Sequence, residues 1–383
     1  MTPSLTSRAP EAHPTTAHPT TAHPTTCQAR ARRGGRARGI RAGVALGLAA
    51  AIALTLAPTA TATPLPYAAS AAPVVSDTTA AKNAAAWLGW QFVDKSHLQT
   101  EYGGTAYDDA GLTLDAVLAF AASKSNAVFA KSALTWLSDP ATLGGYIGDG
   151  TTESYVGAHA KLALALQVSG RSTLSYGGRD ILGELATLQG SDGRFHDTSA
   201  WGDYVNTFGQ SLGAIALKRA GRGAAAVKAS VFLVGQQCTD GGVPISFDGA
   251  TCSGDVDATA IAIQAFTATG RGPAASRAAA WLRANAAPAA NTNSAGLVAA
   301  ALSTVSGPAN PPAVRANRTF IRSLQQGCSA PTGRRGAIAY AAGPFDKAAA
   351  PRATTQAILG LVGADLATLT AAGSAPGAPR TIC

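Results

Sequence analysis

An all-α fold, a closed barrel of about six helical hairpins, is what this chain of 383 residues predicts. Three observations carry the prediction. Alanine dominates the composition, 42 residues are glycine and only 13% are charged, which favours closely packed helices joined by glycine turns. Alanine-rich stretches end three times in the same dipeptide, at Gly170-Arg171, Gly221-Arg222 and Gly270-Arg271, so a unit recurs after 51 and then 49 residues. No strand-like alternation of apolar and polar residues is sustained anywhere. A unit of two helices buries its apolar face only against its neighbours, and six such pairs can close into a ring, alanine-rich helices inside and more polar ones outside.

The elements follow in chain order. Residues 1–62 form a leader, whose HPTTAHPTTAHPTT repeat is of low complexity and cannot build a core. An arginine-rich stretch, an apolar run from Gly43 to Ala57 and small residues ending at Ala60-Thr61-Ala62 then make a signal-peptide pattern. The run is short for a membrane span of roughly 20 residues. A secreted or cell-envelope-associated protein is therefore expected, meeting the membrane only through this segment. The leader also holds seven arginines against one acid, Glu11, and leaves 23 bases facing 20 acids beyond it. So balanced a body, with few aromatics, lacks the footprint of a nucleic-acid binder.

A Pro- and Ala-rich linker covers residues 63–78, and the repeat domain covers 79–366. Its units fall near 80–123, 126–171, 177–222, 224–271, 274–307 and 313–364, the fifth being short and without a glycine turn. In each unit the second helix is rich in small residues and the first carries more charge on one face. Residues 367–383 form a tail. Outside the leader stand Cys238, Cys252, Cys328 and Cys383. In an exported chain they suggest two disulfides with three open connectivities; the expected pairing joins Cys238 to Cys252 around one loop and Cys328 to Cys383 at the tail.

The turn QGSDGRF, Gln189 to Phe195, resembles the Q-xxx-G-x-W motif of the squalene cyclase and prenyltransferase repeat family, with phenylalanine in the tryptophan place. Gln237, Gly241 and Val243 match it more loosely. The resemblance covers most of residues 80–364 and implies an α/α toroid, which agrees with the ring expected from the repeats. DVDATA, residues 255–260, looks like the DxDD-T-A motif with which class II terpene cyclases protonate an alkene. Asp255 and Asp257 match its first two acids and Ala258 stands in the third place. The resemblance would make Asp257 the acid and Asp255 its neighbour. Aspartate is also a preferred N-cap and suits a first helical turn, so the pair can equally begin a helix.

Other chemistries of related toroids find fewer of their groups. The zinc set of the protein prenyltransferases needs an aspartate where Gln236 stands, and no histidine follows His196. Cys328 lacks the thioester motif, and no G-x-S-x-G occurs. Asp108, Asp109, Glu153, Asp203, Asp255 and Asp257 all precede or begin inner helices, which keeps paired carboxylates for glycoside cleavage open. At the same end, Tyr107, Trp201, Tyr204 and Phe247 mix ring faces with Asp109, His159, Asp203 and Asn206, as a ligand mouth requires. The leading expectation is an exported, non-catalytic module that binds a small molecule or cell-envelope component there, with no cofactor and no metal. The alternatives are an isoprenoid cyclase or transferase using Asp257 as acid, and a carbohydrate-active enzyme.

Overall fold

Helices of small residues can be surrounded on all sides, and six of them here form the wall of a ring. The structure is a computed structural model that describes residues 76–378, all within the unit Ser70–Cys383. The signal segment, residues 63–75 of the linker and Cys383 lie outside the described residues. In chain order the outer helix α1 (Asp77–Gly89) leads to the inner α2 (Ala110–Ser123), and α3 (Ala127–Trp136) with the short α4 (Pro140–Ile147) leads to α5 (Val156–Val168). Next, α6 (Ile181–Thr187) leads to α7 (Thr207–Arg219), α8 (Gly223–Gly235) to α9 (Val256–Ala268), α10 (Gly272–Asn285) to α11 (Thr292–Thr304) and α12 (Asn310–Ser323) to α13 (Ala350–Val362). Each inner helix packs on the next, and α13 packs back on α2 to close the ring.

Burial separates the two layers. Helix α2 is buried without a break from Leu112 to Ser123, and α9 from Ala258 to Phe266. By contrast α10 buries only Ala274, Ala275, Ala278, Ala279 and Leu282, the three- and four-residue spacing of a helix with one apolar face. The recurring Gly-Arg ends the inner helices. Gly170, Gly221 and Gly270 have φ of 66°, 75° and 75°, and the next amide bonds the carbonyl five residues back: Arg171 to Leu166, Arg222 to Leu217, Arg271 to Phe266. This is a Schellman cap, which satisfies carbonyls the helix leaves open.

The turn glutamines join one unit to the next. Gln189 Nε2 donates to the carbonyls of Gly193 and Ala225, and Gln237 Nε2 to those of Gly241 and Ala274. Gln325 Nε2 does the same with Gly336 and Ala80, so a third copy of the turn ties the sixth unit to the first. Phe195, Val243 and Ile338, two residues after each glycine, are fully buried.

Several features differ from the sequence expectation. Strands β1 (Gln99–Tyr102) and β2 (Thr105–Asp108) pair as an antiparallel hairpin before α2. Every residue of both is exposed, so no apolar alternation marks them. Helix α1 starts inside the expected linker, capped by Ser76 Oγ, which accepts from Thr79 N. Cys238 and Cys252 form a disulfide. Cys328 is also disulfide-bonded, and Cys383, its expected partner, lies outside the described residues.

The tail crosses the end of the ring where the inner helices finish. Gln264 of α9 donates to Ala364 O and accepts from Leu366 N. Arg219 of α7 donates to Leu366 O and Leu369 O, Ala371 N reaches Val168 O of α5, and Lys124 after α2 donates to Thr370 O and Ala372 O. Ala375 O and Pro376 O then accept from the amides of Ala127 and Val128 in α3.

Candidate functional site

The opposite end, where the inner helices begin, is the mouth. Its geometry follows from helix register. Thr113, Gln210, Thr259 and Thr354 point outward, each accepting the amide of a preceding turn: Leu98 N at 2.9 Å, Phe195 N at 3.0 Å, Val243 N at 2.8 Å and Ile338 N at 3.1 Å. Residues two before and two after such a position lie about 200° round the helix, on the opposite face. That face is the lumen. It carries Gly111 and Asp115 on α2, Phe208 and Leu212 on α7, Asp257 and Ile261 on α9, and Arg352 and Gln356 on α13. The same register puts Gly157 and Lys161 of α5 and Asn293 and Leu297 of α11 inside.

Contacts between neighbouring inner helices agree with this register. Lys161 Nζ lies 2.9 Å from Asp115 Oδ1, Arg352 lies 3.4 Å from Asp109 Oδ2, and Asn293 Nδ2 donates to Asp257 Oδ2 at 3.3 Å. Asp109, Asn206 and Asp255 are N-caps of α2, α7 and α9, accepting from Leu112 N, from Phe208 and Gly209 N, and from Ala258 N. Asp255 therefore starts the helix, while Asp257 in the first turn faces the lumen.

Around this opening stand two aromatic-bearing segments. The hairpin β1–β2 carries Tyr102 and Tyr107, which are 76% and 46% exposed, and the loop before α7 carries Trp201 and Tyr204, which are 74% and 60% exposed. Asp203 organises that loop, accepting from Asp197 N and Val205 N at 3.1 Å and lying 2.8 Å from His196 Nδ1. Burial opposes its charge, but the two amides and His196 outweigh that and hold its carboxyl below the usual range. Asp197 is the opposite case. Burial pushes its carboxyl up, against the amides of Val156 and Tyr204 that it accepts from. Through Val156 N, 2.7 Å away, Asp197 caps α5, whose own N-cap residue Tyr155 makes no side-chain cap. Glu153 bonds Tyr155 Oη and Ala200 N and leans on the same loop, its carboxyl lowered first by Ser199.

Two expected site residues belong elsewhere. His159 is fully buried, with Nδ1 2.9 Å from Tyr155 O and Nε2 3.0 Å from Glu184 Oε2 of α6. It is the fourth residue of α5, the outward place that threonine takes in α2 and α9, so it does not line the mouth. Phe247 packs edge-on against Phe232 of α8, ring centroids 5.1 Å apart, with Arg194 over both rings. It fastens a rim loop and leaves the lumen to others. Phe195, in the tryptophan place of the QGSDGRF turn, is core.

Sequence reasoning missed Asp115, Lys161, Asn293 and Arg352, because the lumen face is defined only once each helix start is fixed. Among the described residues, no three His, Cys, Asp or Glu side chains gather as a metal site. No described helix is long and apolar enough to cross a membrane. A cavity of about 390 Å³ lies at the far end from the mouth, lined by Gln167, Arg219 and residues 367–370 of the tail.

No family model and no curated protein matches the sequence. Solved structures do match. A protein from Actinoplanes is 14% identical, with 75% of this chain and 99% of that one covered and a TM-score of 0.55. The type II terpene cyclase MstE from Scytonema is 14% identical over 75% of this chain and 98% of its own, with a TM-score of 0.54. An α-1,6-mannanase of Salegentibacter, in an inactive variant bound to α-1,6-mannotriose, is 10% identical over 75% and 98%, with a TM-score of 0.55. At such identities the likeness is one of fold, and the chain has the α/α toroid that these structures share.

Proposed function

We propose that this chain is an exported glycan-binding ring whose mouth takes an envelope or extracellular polysaccharide. The observation that carries the reading is the rim: four exposed aromatic rings, Tyr102, Tyr107, Trp201 and Tyr204, stand beside carboxylates held in place by backbone amides. A sugar ring offers an apolar C–H face and a hydroxyl edge. Aromatic faces suit the first, and fixed acceptors such as Asp203 and Glu153 suit the second. The signal pattern and the Cys238–Cys252 disulfide support an oxidising compartment, and the mannotriose bound by a toroid of the same shape supports the ligand class.

Titration of the mature protein with neutral oligosaccharides and envelope polysaccharides tests this. Replacing Trp201 and Tyr204 together by alanine should weaken polymer binding by at least about tenfold, with the melting temperature unchanged. Failure to bind any glycan would sink the reading. Release of new reducing ends, abolished by Asp109→Asn, would make the ring a hydrolase. Asp108 and Asp109 are its one pair of adjacent acids, and paired carboxylates are what such cleavage needs.

One observation favours a second reading. Asp257 faces the lumen with Asn293 donating to it, and the same register puts Phe208, Leu212, Ile261 and Leu297 of α7, α9 and α11 on that wall; a terpene cyclase shares the fold. Protonation of an isoprenoid double bond by Asp257 would appear as turnover of polyprenyl substrates that disappears in Asp257→Asn.

A further inference from the structure

The first layer of the lumen has a gap on one side. Four inner helices place Phe208, Asp257, Asn293 and Arg352 there, but α2 and α5 place Gly111 and Gly157. A Cβ at Gly157 would meet nothing within 4 Å, and Gly157 is exposed. Directly below, one turn deeper on the same two helices, lie Asp115 and Lys161, side chains 7% and 22% exposed and 2.9 Å apart. Lys161 Nζ also donates to Gly111 O at 3.4 Å, which leaves the third ammonium proton for another acceptor. Tyr146 of α4 covers Gly111, its hydroxyl oxygen 3.9 Å from where a Cβ on that glycine would sit. The two exposed aromatic segments belong to the turns on either side, one before α2 and one before α7.

Resting on the glycan reading above, we infer that the opening at Gly157 admits one terminal sugar ring, end-on, to the Asp115–Lys161 pair, with Tyr146, which covers Gly111, beside it. The chemical class is a neutral hexose. A hydroxyl both donates and accepts, and the pair offers a carboxylate and an ammonium within one hydroxyl's reach. An anionic sugar would instead meet Asp109, Asp115, Glu153 and Asp257 at the mouth, where Lys161 and Arg352 are already paired with two of those acids. Rim aromatics then hold the following residues of the chain. A structural ion pair between two packed helices would need neither the glycine gap above it nor the partial exposure of Lys161.

The test uses the full mature chain and calorimetric titration with trisaccharides of mannose, glucose and N-acetylglucosamine, a uronate trisaccharide, and the corresponding polymers. Gly157→Leu fills the opening at a place with free space, and Lys161→Met removes the ammonium while keeping the stem; thermal melting confirms that each variant is folded. The expected result is binding of at least one neutral trisaccharide, at least about tenfold weaker in both variants, with the uronate trisaccharide weaker than the neutral one by a similar factor. Affinity per chain end should match between oligomer and polymer. Wild-type affinity for trisaccharides in both folded variants, or binding of polymers without binding of any trisaccharide, would overturn the subsite while leaving the rim reading intact. No glycan binding by the unmodified chain would overturn both.

Discussion

Gln237 shows why glutamine recurs in the turns. Its side chain is long enough to leave the turn, and its amide carries two protons, one for the carbonyl of Gly241 at 2.9 Å and one for that of Ala274 in the next outer helix at 3.1 Å. Its Oε1 accepts from Arg277 at 2.6 Å. Gln237→Ala would remove both bonds, and Gln237→Glu keeps the reach but not the donors. Each should cost about 1–3 kcal/mol in urea unfolding. Gly241→Ala should cost at least as much, since φ is 99° and the new Cβ would fall 2.7 Å from Arg277 O. Two copies of this turn are legible in the sequence because only three residues lie between Gln and Gly. The third is hidden by seven extra residues, Cys328 among them, between Gln325 and Gly336. His159 was misplaced for a related reason. Shifting a helix start by one residue turns every side chain by about 100°, so lumen and outer faces cannot be told apart before the start is known.

At the scale of elements, the loop from Phe195 to Asn206 is anchored by backbone bonds of Thr198 with Ser154 and of His196 with Leu188, and carboxylates supply most of its side-chain bonds: Asp197 caps α5, Asp203 gathers two amides and His196, Glu153 reaches Ala200 N, and Asp248 pairs with Arg194 through two bonds of 2.9 and 2.8 Å. Asp203, Glu153 and Asp248 all have carboxyls held below their ordinary values. A group whose folded value is lowered contributes stability above its unfolded value, near 4, and loses that contribution as pH falls through the lower folded value. Asp197 runs the other way, since its raised carboxyl favours the folded state as pH falls past its own value. Three lowered groups outnumber one raised group. The loop should therefore keep its shape down to about pH 4 and loosen below it, which Trp201 fluorescence would report as a transition absent from Trp201→Phe. A loop that stays unchanged to pH 2 would contradict this account. The aromatic and acidic content of the loop was legible from sequence, whereas the cap it lends to α5 is a contact across two units. The hairpin before α2 was not legible, since strands exposed on both faces carry no alternation; its Gly103-Gly104 turn between Tyr and Thr residues was the one available signal.

At the scale of the whole molecule, six recurring units were enough to foresee a ring, because each unit leaves apolar surface that only a neighbour can cover. The way one end is closed was not foreseeable. The tail binds through its backbone, so its sequence shows no pattern. Arg219, Lys124, Val168 and the amides of Ala127 and Val128 contact it, at the ends of α5 and α7 and at the junction of α2 with α3. Ending the chain after Leu366 would remove most of these bonds, each worth about 1 kcal/mol net. The truncated ring should lose roughly 4–6 kcal/mol by that count, a fall in melting temperature of roughly 6–10 °C for a domain of about 300 residues. Truncation also removes Cys383, so full-length Cys328→Ser is the control, and the truncated chain should melt well below it. Glycan binding at the mouth, measured below the melting transition, should survive, since the contacts of the described tail residues named above lie at the opposite end. A truncated chain that melts with the control would show that the inner helices close this end unaided.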